Sequence, residues 1–471
     1  MIRESLNRRE LLKLLGVGGS AVAADILAPR IVGATDRGYV VESPDEYGGF
    51  LVETLTAGNS AYTYEPEKLK RFSEKNTVFS RNVWDPARRG ELAKNRNWVQ
   101  EHVIDARGND PLHSRLGLAW WIGAWGVASN FSQAYGWEAR SSRIRGKGLD
   151  KLGAWKPEEM GMTWKDAAQI IKHAGLMYGA SGVGICEAKD LWFYADRFAG
   201  TREEADGSEG AGAGVVPVVR DTDRFEKAKD GTYLPRSFNC AIVMIFEEDY
   251  DSVMTSPNRI CVGASGNGYS KMAGTAHCLS EFIRALGWRA APAGNDLALS
   301  IPLAIDAGLG QLGRNGGLVT PKFGPRVRIA KVFVEMPLPV DAPINFGVTE
   351  FCDNCGACAE KCPSGAIPTG PRTWEGKTPS NNPGALKWYV HVDKCYDFND
   401  FACQACKASC PFNKPNSSWV HELTRRFVEG RIGTADKLML KLDQASGYGK
   451  QMPEADFWKL DGSRTAMARG R

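Results

Sequence analysis

Eight of the twelve cysteines fall between Cys352 and Cys410, in two runs that end alike. The first is Cys352-x2-Cys355-x2-Cys358-x3-Cys362-Pro363, and the second is Cys395-x7-Cys403-x2-Cys406-x3-Cys410-Pro411. Three thiolates two residues apart can wrap one cubane from a tight loop. The fourth, three residues on and followed by Pro, points to the other cluster. The spacing therefore predicts two 4Fe-4S clusters. One takes Cys352, Cys355, Cys358 and Cys410, and the other takes Cys395, Cys403, Cys406 and Cys362. The longer gap after Cys395 enlarges the second loop. Zinc sites use fewer or differently spaced ligands, and a disulfide framework would not close both runs with Cys-Pro. Cys186, Cys240, Cys261 and Cys278 are scattered and read as free buried thiols. A ferredoxin module of this kind moves single electrons and fills a small part of 471 residues. The reacting centre must lie in the stretch ahead of it.

The N-terminus reads as an address. Arg8-Arg9-Glu10-Leu11-Leu12-Lys13 precedes an apolar stretch from Leu14 to Leu27 and the small residues around Val32-Gly33-Ala34. That is the layout of a twin-arginine export signal over residues 1–34, although Asn7 and Leu11 stand where Ser or Thr and Phe are usual. Export of a folded protein suits a chain that must take up metal first. A net charge of +4 without an obvious basic tract gives no pull toward nucleic acid.

Between these ends the patterning mixes helix and strand. Leu116–Trp137 carries no charge, and its length allows a membrane span. Its glycines and polar amides favour a buried helix lining a cofactor instead. Met162–Met177 reads as a helix, and Gly179–Cys186 as a turn entering a strand. Residues 200–214 read as a flexible loop rich in Gly, Ala and Glu. Asn239–Phe246 is a buried strand by its apolar run, and Val327–Val334 a strand by alternation. Ser270–Leu286 is a helix stopped by Gly287. Leu299–Ala307 is apolar and opens onto a glycine-dense loop, 308–317. The predicted class is α+β: a core domain over 35–345, a two-cluster ferredoxin-like domain over 346–420, and an extension over 421–471 with no assigned chemistry.

Several blocks ahead of the first cysteine run resemble those of the corrinoid-dependent reductive dehalogenases. They are Gly266-Asn-Gly-Tyr269-Ser-Lys-Met272, Pro292-Ala-Gly-Asn295-Asp296, Ala307-Gly-Leu-Gly-Gln-Leu-Gly-Arg314-Asn-Gly316, Gly324-Pro-Arg326-Val-Arg328 and Phe346-Gly-Val-Thr-Glu-Phe351-Cys352, in that order. The resemblance covers the leader and roughly residues 230–415. It implies a nitroreductase-like α/β core that holds a cobalamin-type corrinoid without a histidine ligand. Gly308, Gly310, Gly313, Asn315 and Gly316 would then border the macrocycle, since backbone without side chains approaches a flat ring closely. The family's catalytic tyrosine falls on Tyr269, its asparagine on Asn295 and its arginine on Arg328. Arg326 is the rival for the arginine. Ser265, Phe79, Trp120 and Trp121 read equally as lining of the substrate cavity or as plain core packing.

The activity so implied replaces a carbon–halogen bond by carbon–hydrogen, with Tyr269 giving the proton. Implied partners are an organohalide, a small membrane anchor protein and a membrane or ferredoxin/flavodoxin-type electron donor. A homodimer is left open, and the expected place is the outer, periplasmic face of the cytoplasmic membrane. Asn399 stands where the family often has Trp, so the substrate channel is expected to differ. Two alternatives stay open: an exported two-cluster electron-transfer protein without corrinoid, and an epoxyqueuosine-reductase-like enzyme.

Overall fold

The computed structural model describes residues 40–41, 53–55, 61–99, 111–130, 135–137, 153–198, 214–399, 403–415 and 449–459. The leader, nearly all of the loop 200–214 and most of the extension 421–471 lie outside the described residues. The helices used below are α1 (Val78–Trp84), α2 (Pro86–Val99), α3 (Pro111–Asn130), α4 (Trp164–Met177), α5 (Arg259–Ala285), α6 (Ser300–Asp306), α7 (Val348–Cys355), α8 (Ala357–Glu360), α9 (Val392–Asn399) and α10 (Ala405–Ala408). The main strands are β1 (Gly182–Glu187), β2 (Cys240–Glu247), β3 (Ala290–Ala293) and β4 (Val327–Val334).

β2 is apolar on both sides. Ile242, Met244 and Phe246 face one way, and Ala241, Val243 and Ile245 the other, all buried. Such a strand is stable only between two covering layers. The sheet runs β1-β2-β4-β3, with every neighbour antiparallel. Helices α4 and α5 cover the Ile242 face through Ala167, Ile171, Met272, Ala276 and Leu279. Helix α6 covers the other face through Leu303, Ala304 and Ile305. β4 spans the predicted residues, and α4 starts two residues later than predicted, after a capping box between Thr163 and Asp166.

Three expectations are corrected. Helix α5 begins at Arg259, capped by the Asn258 side chain, and not at Ser270. The uncharged run is helical as far as Asn130, in a helix that starts at Pro111, but half-exposed rather than buried: Trp120 and Trp125 nest on α5, while Leu118, Ile122 and Val127 face outward. No described helix is long and apolar enough to cross a membrane. Of the scattered cysteines, Cys186, Cys240 and Cys261 are buried, but Cys278 is exposed.

The cysteine-rich region is tied to the N-terminal helices. Arg81 on α1 donates to Asp393 at 2.9 Å, and Arg88 on α2 donates to Asp397 at 3.0 Å. Both aspartates sit on α9 beside Cys395, and the Arg88 side chain is fully buried. These pairs hold the outlying cysteine of the second run, whose long gap leaves it without local support.

Candidate active site

The Gly266-Asn-Gly268-Tyr269 block lies inside α5, where each glycine weakens the helix by about 1 kcal/mol relative to alanine. Both are needed for close approach. A Cβ at Gly268 would lie 2.8 Å from Cγ of Arg328, and one at Gly266 would strike the indole of Trp125. The helix thus lets α3 on one side and β4 on the other reach Tyr269. The Trp125 ring stacks on that of Tyr269, with centroids 5.0 Å apart and planes 25° apart. The Arg328 guanidinium sits 4.8 Å from the Tyr269 ring centroid. Asn295, exposed in the loop after β3, donates from Nδ2 to the Tyr269 hydroxyl oxygen at 2.7 Å. The three predicted residues therefore meet from three elements.

The Asn295 loop is held from beneath by Lys331, a fully buried residue of β4. Its Nζ donates to the carbonyls of Gly294 and Ala298 and, at 2.9 Å, to the Ser300 hydroxyl. Burial pulls its pKa down to about 8, against the pull of Asp296. Lys331→Met should leave these acceptors unpaired, at about 1–3 kcal/mol each where they stay dry. Thermal unfolding of the variant should shift down, with turnover falling as Asn295 loosens. An unchanged unfolding midpoint would mean that the loop holds itself.

Arg328 is fixed in turn. Its Nε donates to Glu248 Oε1 at 3.0 Å and its Nη2 to the Ser265 hydroxyl at 2.5 Å. Glu248 is fully buried, accepts from Ser265 at 2.8 Å and pairs with Lys407 of α10. Burial raises the Glu248 carboxyl, but Lys407 and Arg328 outweigh it and hold the group below its ordinary range. Gln404 donates to Ser265 at 2.7 Å and to the Cys261 carbonyl at 2.6 Å. The second cysteine run thus touches the site through Gln404 and Lys407. Arg326 is buried elsewhere, donating to Glu247 at 2.9 Å and to the Glu248 carbonyl at 2.5 Å. Of the two arginines, Arg328 is the one against Tyr269.

Ser265 lies in this network, but the other candidate cavity residues are placed differently. Trp120 meets Phe457 and Trp458 edge-on, Trp121 lies under Arg259, and Phe79 is largely exposed against Tyr396. Glu248, Lys407, Gln404, Trp125 and Lys331 were not legible as site residues. Nothing in their local sequence separates them from ordinary core or surface positions.

The eight cysteines lie near one another across the two runs. Burial pushes the Cys410 thiol up, and Cys352, Cys358 and Cys355 add to it. Cys395 is exposed as a residue, yet the fold around its thiol and the nearby Cys406 and Cys362 raise its pKa. Burial also raises Cys403, with Cys406 and Cys395 among its neighbours. The last cysteine of each run thus stands near cysteines of the other run. Among the described residues no three His, Cys, Asp or Glu side chains converge on a single ion. A cubane takes one thiolate at each of four corners, and the eight cysteines of the two runs are enough for two.

The loop 308–317 runs into a hairpin that pairs Gln311–Leu312 with Leu318–Val319, with residues 313–317 as its tip. Gly308 has φ +71°, and a Cβ there would lie 2.5 Å from the Ala342 carbonyl oxygen. At Gly310 the Val319 carbonyl fills the same space, and at Gly313 the Val319 side chain is 2.8 Å away. Asn315 accepts from the Gly317 N–H at 3.0 Å, and Gly316 has φ +74°. The chain's own packing thus requires these glycines. Two buried polar atoms near Tyr269 and Arg328 have no partner: the Trp125 indole N–H and the Gln404 side-chain oxygen. A bound group with a polar edge, or ordered water, is what such atoms call for.

A 4Fe-4S dicluster domain model matches residues 351–414. A tetrachloroethene reductive dehalogenase of Sulfurospirillum multivorans is 30% identical over 97% of this chain and 93% of its own length. One of Desulfitobacterium hafniense is 35% identical over 64% of this chain and 58% of its own. The solved structure of the catabolic reductive dehalogenase NpRdhA superposes with a TM-score of 0.61 at 22% identity, over 87% of this chain. The match spans about half of that longer protein, 52% of its length, and shows a shared fold. With a relative matched almost end to end, the chain belongs to the reductive dehalogenases, a family of oxidoreductases.

Proposed function

We propose that this chain replaces the halogen of an organohalide by hydrogen, with a corrinoid and two 4Fe-4S clusters as resident cofactors and Tyr269 as proton donor. The carrying observation is the direction of one hydrogen bond. Asn295 donates to the Tyr269 oxygen, so the tyrosine's own O–H is left to point at a substrate. The reaction takes two electrons and one proton, and releases halide. Bound in this fold, the corrinoid supplies low-valent cobalt as the electron source.

The residues do the rest. Tyr269 gives its proton to the carbon that loses halide, as a general acid. Asn295 keeps a hydrogen bond on the oxygen left behind. Arg328 and Lys407 are two cations sharing one carboxylate, Glu248, so one positive charge remains to stabilise that oxygen. Trp125 fixes the ring plane and keeps water from one side of it.

The first quartet, Cys352, Cys355, Cys358 and Cys410, and the second, Cys395, Cys403, Cys406 and Cys362, would each hold one cluster. Gly308, Gly310, Gly313, Asn315 and Gly316 would border the corrinoid, with the tight turn as their contribution. The twin-arginine pattern supports a mature enzyme on the outer face of the cytoplasmic membrane. There it would meet a small anchor protein and a membrane or ferredoxin/flavodoxin-type donor. Both curated relatives described above are named for tetrachloroethene, so that chlorinated alkene is the first substrate to try.

The test is metal content and halide release from anaerobically purified protein. About eight irons and about one cobalt per chain are expected, as two cubanes and one corrinoid require. Chloride should be released from tetrachloroethene with a reduced viologen as donor. Eight irons without cobalt, even after reconstitution with corrinoid, would defeat the corrinoid reading and leave an electron-transfer protein.

A further inference from the structure

Arg314 sits at the tip of the 311–319 hairpin and is 3% exposed. Its Nε and Nη2 donate to the Cys352 carbonyl at 3.0 and 2.9 Å. Its Nη1 donates to the carbonyls of Pro368 and Gly370 at 2.9 and 2.8 Å, and Nη2 makes a longer contact of 3.4 Å with the Asp353 carbonyl. The guanidinium lies 4.7 Å from the Trp388 ring centroid. Every one of these partners is neutral. The carboxylate of Asp353, whose carbonyl is one of these partners, pairs instead with Arg372 at 3.6 Å. Among the described residues Arg314 has no acidic partner.

A buried guanidinium is normally matched by an anion, because carbonyl dipoles solvate a charge without cancelling it. The missing anion is at hand. A cubane on four thiolates carries net negative charge, and gains one more on reduction. Net charge is one of the factors that set its potential. We infer that Arg314 is an electrostatic tuning residue, whose charge favours the reduced form of the cluster on Cys352, Cys355, Cys358 and Cys410 and so raises its reduction potential. This rests on the cluster ligands proposed above.

The test is a dye-mediated redox titration of the anaerobic holoenzyme, read by electron paramagnetic resonance. Wild type must first titrate as two clusters; a single cluster would defeat the underlying ligand reading, not the role of Arg314. In Arg314→Gln one of the two midpoints should move to lower potential while the other stays. In Arg314→Lys, which keeps charge but not the forked clamp, both midpoints should stay near wild type. Equal shifts in the two variants would make the clamp, not the charge, the cause and overturn the proposal, as would no shift in either. If Arg314→Gln does not retain its clusters, Asp353→Asn takes its place. That change leaves the carbonyl contacts intact, removes a negative charge from the same loop, and should raise the midpoint. An unmoved midpoint there would also overturn the proposal.

Discussion

Tyr269→Phe should keep its metal content and lose at least about 100-fold in kcat, the usual scale for a general acid. That factor corresponds to about 2.7 kcal/mol of transition-state stabilisation. The substitution is unusually clean here. Phenylalanine keeps the stack on Trp125 and the contact with Arg328, both of which are made to the ring. It removes only the oxygen that Asn295 donates to. Because Asn295 is exposed, water can take over that N–H, so the folded state should change little. Iron, cobalt, unfolding temperature and KM are expected near wild type, with the loss confined to kcat. Full turnover by the Phe variant would remove Tyr269 from the proton-donor role, and a parallel loss of cobalt would make it a binding residue instead.

What the sequence makes legible is whatever leaves a local pattern. The alternation in Val327–Val334 marks a strand to the residue, since its side chains must alternate between two cores. The two cysteine runs mark a 4Fe-4S dicluster region, since cubane chemistry needs that spacing. The start of α5 is hidden for a physical reason. Gly263, Gly266 and Gly268 have poor helix propensity, but they are helical positions emptied so that Trp120, Trp125 and Arg328 can press against the helix. The exposure of α3 is hidden likewise, because an uncharged run does not say which of its faces finds a partner. Glu248 is the hardest case. It is one of two adjacent glutamates at the end of β2, and only the fold places one at Arg326 and the other under Arg328 and Lys407.

That same glutamate should carry the largest structural effect. Glu248→Ala would leave Arg328 and Lys407 facing each other without their shared carboxylate, and Ser265 without its acceptor. Removing one partner of a buried ion pair costs about 3–5 kcal/mol, because the remaining charge stays buried. Two cations depend on this carboxylate, and one belongs to α10, between Cys406 and Cys410 of the second cysteine run. The expected result is a lower unfolding temperature together with weakened retention of the second cluster and loss of turnover. Glu248→Gln keeps the shape and one acceptor but not the charge, and should fall between wild type and Ala. The pH dependence has a definite sign. The carboxyl is held below its ordinary value of 4.5, so its contribution is present above that pH and is lost as pH falls through the depressed value. Glu248→Ala should therefore narrow the stability gap from wild type only in acid, below about pH 4.5. A gap that closed instead at neutral pH, or an Ala variant as stable as wild type, would mean that Arg328 and Lys407 are held by something other than Glu248.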